Sequence, residues 1–128
     1  MAGRLYPGRV SGTVVVQLSD EERALLVRGL REWGGPTRPT AALANAMGSE
    51  TVAGLLADTD RVAAQLNAGE PLTAADWARA LIATEIAFAS DYYGSGWDWS
   101  STTGLDDEET IRRLRQVQRK LVGVARLP

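Results

Sequence analysis

The sequence predicts an all-α fold: a single-domain helical bundle of four main helices and one short helix, preceded by a short N-terminal β-strand or extended arm. The 128 residues match the commonest size of one domain. Apolar residues recur at helical spacing in long segments that begin with capping residues. One short segment, residues 13–18, is rich in β-branched side chains. We therefore expect a single domain over residues 1–128, with an arm or strand in 1–18 and a bundle in 19–122.

The helices are placed by their start and stop signals. Ser19 followed by Glu22 forms a capping box, and the Gly-Gly-Pro run at 34–36 stops the helix that it opens. Asp106 opens the last helix, which carries acids in its first turn and arginines further on, as the helix dipole favours. The expected helices are residues 19–33, 41–47, 50–67, 73–93 and 106–122.

Residues 13–18, TVVVQL, are predicted to form a strand, and a lone strand needs a partner. Residues 121–124 of the same chain are one candidate. A second copy of the protein is another, and pairing through residues 13–18 would make a homodimer, since an unpaired apolar edge is a liability. The third interpretation is an extended arm packed on the bundle.

The chain lacks the residue types that support most catalysis. It has no histidine and no cysteine, which excludes Ser-His and Cys-His nucleophile pairs and zinc-type ligand sets. We therefore expect a protein that is not an enzyme and that holds no cofactor and no metal. A calcium loop starting at Asp91 would lack the bidentate glutamate of an EF-hand, since Thr102 stands at its twelfth position.

Charge and hydropathy limit the classes of partner and the cellular compartment that we expect. The net charge of −2 predicts no general attraction to nucleic acid or to an anionic membrane. No apolar window approaches the roughly 20 residues of a membrane helix, and the start of the chain does not have the pattern of a signal peptide. With no cysteine, these features predict a cytoplasmic protein. Arginine makes up all the basic residues except Lys120, which is typical of a GC-rich bacterial genome.

The stretch from residue 91 to residue 100, DYYGSGWDWS, holds four of the eight aromatic residues of the chain. Tryptophan is enriched at binding hot spots, and long connections between helices are often functional. The same residues would also close the end of a bundle as an apolar plug. Side chains two apart in an extended segment face opposite ways, so we expect Trp97 outside and Trp99 inside. The candidate binding residues are Tyr92, Tyr93, Trp97, Asp98 and Trp99.

Glu85 lies near the middle of an apolar arc on the helix predicted for residues 73–93. A buried carboxylate needs a partner or a raised pKa. Gln118 lies inside the apolar arc of the last helix and Arg115 lies at its edge. We expect Glu85, Arg115 and Gln118 to form a polar network. Such a network would be structural or would bind a ligand, unless the helix is rotated so that Glu85 is simply exposed.

Residues 40–57 have the spacing of a degenerate helix-turn-helix, with Ala44 before the turn and Gly48 in it. The helix that would enter DNA carries Glu50, Asp58 and Asp60, which have the wrong charge for phosphate contacts. A more basic face lies on the last helix and consists of Arg112, Arg113, Arg119 and Lys120. Asp107, Glu108 and Glu109 partly offset the charge of that basic face. Nucleic-acid binding is therefore not expected through either helix.

Three functions from different classes follow from these features. The leading hypothesis is a non-catalytic cytosolic interaction or regulatory module that binds a protein partner through residues 91–100. The first alternative is a small-molecule-binding domain with a pocket around Glu85, Trp97 and Trp99. The second alternative is a DNA-associated regulator that uses residues 40–57.

Overall fold

The computed structural model describes residues 9–10 and 12–127, and the all-α class is confirmed there. The four long helices and the short one lie where the sequence predicts them, except that the helix predicted for residues 73–93 ends at Ala89. A further short helix, which the sequence did not predict, lies in the connection before the last helix. In chain order, the six α-helices of the described chain are α1 (Asp20–Arg31), α2 (Ala41–Ala46), α3 (Val52–Asn67), α4 (Ala74–Ala89), α5 (Trp99–Thr103) and α6 (Asp107–Leu121). None of them combines the length and apolar character that a membrane crossing requires.

Side-chain caps fix the start of each long helix. The hydroxyls of Ser19, Thr51 and Thr73 and the carboxylate of Asp106 each accept a hydrogen bond from the backbone N–H three residues on. The capping box predicted at Ser19 is confirmed, because Glu22 Oε1 also accepts from the Ser19 N–H at 2.8 Å. These caps satisfy backbone donors that the first turn of a helix leaves unpaired.

The N-terminal strand pairs within its own chain, with segments that the sequence did not predict as its partners. Strand β2 (Thr13–Val14) lies between β1 (Arg9–Val10) and β3 (Leu72–Thr73) in an antiparallel sheet of order β1-β2-β3. Both edges of β2 are paired within one chain, which removes the reason for expecting a homodimer through residues 13–18. The prediction of pairing with residues 121–124 was wrong.

The chain beyond β2 runs as the extended arm that was the third interpretation. Residues 15–19 have no regular secondary structure, and the side chains of Val16 and Leu18 pack against the core. Trp77 fastens the sheet to the bundle, since its Nε1–H donates to the Val14 carbonyl at 2.9 Å. The strand is therefore part of a small sheet that covers the start of α4.

The core centres on α1, which packs against α3, α4 and α6. The most deeply buried face of α4 consists of small residues, Ala80, Ala83, Thr84 and Ala87. The rotation expected for this helix was therefore wrong, because the larger residues Leu81, Ile82 and Phe88 are only partly buried. Small side chains allow two helix backbones to approach closely. At Gly29 a Cβ atom would stand 2.2 Å from Thr84 Oγ1 and 2.7 Å from its Cα.

We expect Gly29→Ala to destabilise the protein because the added methyl group overlaps Thr84 on the facing helix. Overpacking a core lowers the free energy of unfolding by about 1–3 kcal/mol. Alanine favours an isolated helix over glycine by about 1 kcal/mol, so the net loss is expected near the lower end of the range. Urea denaturation measures it.

Gly34→Ala is the matched control, since nothing lies within 4 Å of a Cβ there. It should change the free energy of unfolding by less than about 0.5 kcal/mol, as surface changes do. If Gly29→Ala is as stable as the control, the close approach of α1 and α4 is wrong.

Candidate functional site

The aromatic segment, residues 91–103, is an ordered structure rather than a flexible loop. It contains a 3-10 turn at Gly96–Asp98 followed by α5. The chain folds back against the end of α4 at Gly94, where a Cβ would stand 2.0 Å from the Ile86 carbonyl oxygen. The Ser95 N–H then donates to the Ala87 carbonyl at 2.7 Å. Only glycine fits at position 94, and this turn determines where the following residues lie.

A buried carboxylate holds the aromatic segment from below. Glu32 lies at the C-cap of α1 and is 8% exposed. Its Oε1 accepts a hydrogen bond from Ser95 Oγ at 2.6 Å and another from Thr102 Oγ1. Its backbone carbonyl accepts from Thr37 Oγ1 at 2.8 Å. Glu32 therefore connects the end of α1 to the turn after α4, to α5 and to the loop that precedes α2.

Sequence reasoning missed Glu32. One signal was present, because an acidic residue at the C-terminal end of a helix is opposed by the helix dipole. Such a placement needs another explanation, and here it is the pair of hydroxyl donors supplied by Ser95 and Thr102.

The structure separates the two tryptophans as predicted. Trp97 is 88% exposed, whereas Trp99 is 0% exposed. Trp99 Nε1–H donates to Thr110 Oγ1 on α6 at 2.8 Å, and its ring meets Phe88 edge-on with 5.6 Å between centroids. The Trp97 backbone N–H donates to Asp91 Oδ1 at 2.7 Å, which fixes the main chain beneath the exposed indole.

The other candidate binding residues lie close to Trp97 in the chain. Tyr92 and Tyr93 are exposed and contact each other edge-on, with 4.7 Å between ring centroids. The Asp98 side chain is also exposed. The segment therefore combines both predicted features: Trp99 is buried as an apolar plug, whereas Tyr92, Tyr93 and Trp97 are exposed.

An open groove, the α4–α6 groove, runs beside Trp97. It has two parts of about 540 Å³ and 320 Å³ that share Phe88 and Ala89. The part next to Trp97 is also lined by Asp91, Gly96, Ser100, Asp106 and Asp107, and the other part by Glu85, Ile111, Leu114, Arg115 and Gln118. Glu85 and Trp97 thus lie in different parts of one open groove. Trp99 is in the core and lines neither part of the groove, so the groove does not bring Glu85, Trp97 and Trp99 together.

The polar network predicted around Glu85 is present, but its geometry differs from a buried ion pair. Gln118 Nε2 donates to Glu85 Oε2 at 2.8 Å, and Arg115 Nη1 donates to Gln118 Oε1 at 3.0 Å. The amide stands between the carboxylate and the guanidinium. Glu85 is half-buried at the edge of the groove, because the small-residue face of α4 is the one turned to the core.

Charge is distributed unevenly along the groove. Asp91, Asp106 and Asp107 line the part next to Trp97, and Asp98 and Glu108 are exposed nearby in the chain. Across residues 12–127, none of these five carboxylates forms an ion pair. The described acidic residues are also not grouped in a way that would hold a metal ion.

Three of the four cations on the basic face of α6 form ion pairs with carboxylates of the same chain. Arg112 and Arg113 both contact Glu109, and the hydrogen bond from Arg112 holds the pKa of Glu109 below its usual value. Lys120 Nζ lies 2.6 Å from Glu22 Oε1. Burial would raise the pKa of Glu22, but the hydrogen bonds from Lys120 and Ser19 outweigh burial and lower it. Arg119, the fourth cation of this face, is exposed and forms no ion pair among residues 12–127, so one positive charge remains free for an anionic partner.

Arg61 and Arg79 also form ion pairs within the protein, both with Asp76. Asp76 accepts from Arg61 at 2.8 and 3.1 Å and from Arg79 at 2.8 Å. Burial opposes ionisation of Asp76, yet these guanidinium groups hold its pKa below the usual value. Arg79 also donates to the carbonyls of Met47 and Gly48 at 3.2 and 3.0 Å. Arg79 therefore stabilises the turn, and Arg61 pairs with the same aspartate, Asp76.

Comparison with protein-family models, with curated proteins and with solved structures gave no match for this chain.

We expect Glu32→Ala to loosen the aromatic segment, because the Ser95 and Thr102 hydroxyls would lose their shared acceptor. Hydrogen bonds to a charged group contribute about 1.5–3 kcal/mol, and the free energy of unfolding should fall by that amount. Amide hydrogen exchange of residues 94–103 should accelerate more than that of α3.

Glu50→Ala removes an exposed glutamate and serves as the control. It should leave both measurements nearly unchanged, within about 0.5 kcal/mol for stability. Exchange in residues 94–103 that is as slow in Glu32→Ala as in the wild type would show that Glu32 does not hold the segment.

Proposed function

We propose that this chain is a non-catalytic interaction module that binds a partner protein through Trp97 and the α4–α6 groove. The observation that carries the proposal is the 88% exposure of Trp97 on a backbone fixed by its neighbours. A tryptophan buries roughly 150–250 Å² when it is covered. Truncating a hot-spot residue of this kind to alanine costs about 2 kcal/mol of binding or more.

The way the segment is held supports a binding role for the exposed ring. Glu32 anchors Ser95 and Thr102 on either side of Trp97 in the sequence, and Asp91 binds the Trp97 N–H. A group that is ordered before binding loses less conformational entropy when the complex forms. Exposed aromatic side chains beside a concave surface are typical binding hot spots.

A small-molecule site is less well supported by the geometry. Small-molecule pockets bury most of the surface of their ligand, whereas the α4–α6 groove is open along both parts. Glu85, which the small-molecule hypothesis requires next to the tryptophans, binds Gln118 in the other part of the groove. A broad groove with a projecting tryptophan fits a protein partner better.

A DNA-associated role has less support than a protein partner. Arg61 and Arg79, the arginines near the turn of the suggested helix-turn-helix, both bind Asp76. Glu50 and Asp60 are exposed in the segment that would approach DNA, and their negative charges would repel phosphates. We place the proposed interaction in the cytoplasm, because a chain without cysteine fits a reducing compartment.

We expect Trp97→Ala to abolish partner binding while leaving stability nearly unchanged, because its ring is exposed. Trp99→Ala should instead cost about 3–5 kcal/mol of stability, as core truncations of large aromatic residues do. Urea denaturation measures stability. For binding, a photo-crosslinking phenylalanine analogue at Ser100, an exposed residue that lines the groove beside Trp97, is used to capture proteins from a lysate of the source organism.

The matched control places the same analogue at Val122, which is 79% exposed and does not line the groove. A specific partner should crosslink from position 100 and not from position 122. An excess of unmodified protein should suppress the crosslink, whereas an excess of Trp97→Ala should not. Equal crosslinking from both positions would contradict the proposed function.

A further inference from the structure

We infer that the partner presents an amphipathic helix to the α4–α6 groove, with an apolar stripe along the groove and lysine or arginine at the end beside Trp97. This inference rests on the proposed function and specifies the chemistry of the partner. It follows from three properties of the groove: its length, its apolar floor and the distribution of its charges.

The length of the groove suits a short helix. On α6 the lining residues run from Asp107 to Gln118, and eleven steps of about 1.5 Å span about 16 Å. A bound helix of about three turns would cover that distance. The floor is apolar in the middle, where Phe88, Ile111 and Leu114 line the groove and Ile111 is 49% exposed. A helix that binds such a groove places apolar residues at positions i, i+3 or i+4, and i+7.

The charges of the groove determine the polar part of the bound helix. Next to Trp97 the lining contains three carboxylates, Asp91, Asp106 and Asp107, and no cationic side chain. Asp91 Oδ1 already accepts from the Trp97 N–H, and Asp106 Oδ1 from the Glu109 N–H. A carboxylate has about four acceptor sites, so both can still pair with an incoming cation. The Asp107 carboxylate has no hydrogen-bond or ion-pair partner among residues 12–127.

A cationic side chain from the partner would gain two interactions at this end. It would lie among unpaired carboxylates, and the exposed indole face of Trp97 is the best aromatic surface for a cation. At the other end Arg115 is engaged with Gln118 and Glu85 is engaged with the same amide, so that end attracts neither sign of charge strongly. The asymmetry orients the helix with its basic residues beside Trp97.

The same charges disfavour other occupants. Nucleic acid and anionic lipid would meet the carboxylates of Asp91, Asp106 and Asp107 with like charge. A second copy of this chain would have to bring its own basic helix. On the basic face of α6, Arg112, Arg113 and Lys120 are already paired, which leaves Arg119 as its one cation without an ion pair among residues 12–127. A basic segment of a different protein is the occupant that these observations favour.

The test selects binders without knowledge of the natural partner. A phage library of random 16-residue peptides is panned on the full chain, and binders that are retained by Trp97→Ala are discarded. Affinities of the enriched peptides are then measured by fluorescence anisotropy. We expect peptides with helical apolar spacing and an excess of lysine and arginine over acids, whose affinity falls as salt increases.

Two charge reversals make a matched pair for these peptides. Asp107→Lys changes the first residue of α6 at the groove, and Asp20→Lys changes the first residue of α1. Lys120 at the end of α6 contacts Glu22, so Asp20 lies at the opposite end of α6 from Asp107. Asp107→Lys should weaken binding by about tenfold, equivalent to about 1.4 kcal/mol. Asp20→Lys should change affinity by less than about twofold.

Each of the remaining outcomes would contradict the basic helical partner, the proposed function, or both. Peptides that need Trp97 but are neutral or acidic, or that tolerate Asp107→Lys, would overturn the basic helix and leave the proposed function standing. Selected peptides without helical spacing would overturn the helical form of the partner. Recovery of no Trp97-dependent peptide would overturn both proposals. A Trp97-dependent homodimer in sedimentation would identify a second copy as the occupant and overturn the inference.

Discussion

Gly29 and Thr84 bring α1 and α4 so close together that a single methyl group would not fit between them. This approach sets the position of the end of α1, one turn further along, where Glu32 lies beneath the turn that follows α4. Gly94 lets the chain fold back onto α4, and Ser95 reaches the Glu32 carboxylate. The contact between two small-residue helix faces therefore determines the geometry of the aromatic segment.

In the aromatic segment, a residue that stabilises the fold and the residue that we propose binds a partner are only two positions apart. Trp99 enters the core, binds Thr110 and packs on Phe88, so it links the segment to α6. Trp97, two residues earlier, remains in solvent above a backbone that Asp91 holds. A single exposed tryptophan on a mobile loop would lose much of its binding free energy to ordering. Here the fold has already imposed that order, which is why the exposed ring supports an interaction function.

Local signals in the sequence predicted the helices well because caps and apolar spacing are local properties. Ser19 with Glu22, Thr73 and Asp106 all begin helices as expected. The partner of the N-terminal strand was not predictable in this way, since Leu72–Thr73 is only two residues long and directly precedes a helix. Pairing of such short strands depends on how the rest of the chain packs.

The candidate site was predicted only in part. The rotation of α4 was wrong because large apolar residues were taken to mark its buried face, whereas Ala80, Ala83 and Ala87 permit the closest packing. The opposite directions of Trp97 and Trp99 were right, although the backbone is helical there and not extended. Two residues at about 100° each turn a helix by roughly 200°, which also places them on opposite sides. Glu32 depends on donors that are distant in the sequence, so no local pattern marks it.

The most direct measurement of the central claim is quenching of tryptophan fluorescence by ions of opposite charge. Three of the four tryptophans, Trp33, Trp77 and Trp99, are buried, so collisional quenching reports on Trp97. Caesium should quench more strongly than iodide once each is scaled to free N-acetyltryptophanamide, because the neighbouring carboxylates attract cations. Trp97→Phe should remove most of the quenching by both ions. Quenching that survives in Trp97→Phe, or equal scaled quenching by the two ions, would contradict an exposed Trp97 in an acidic surface.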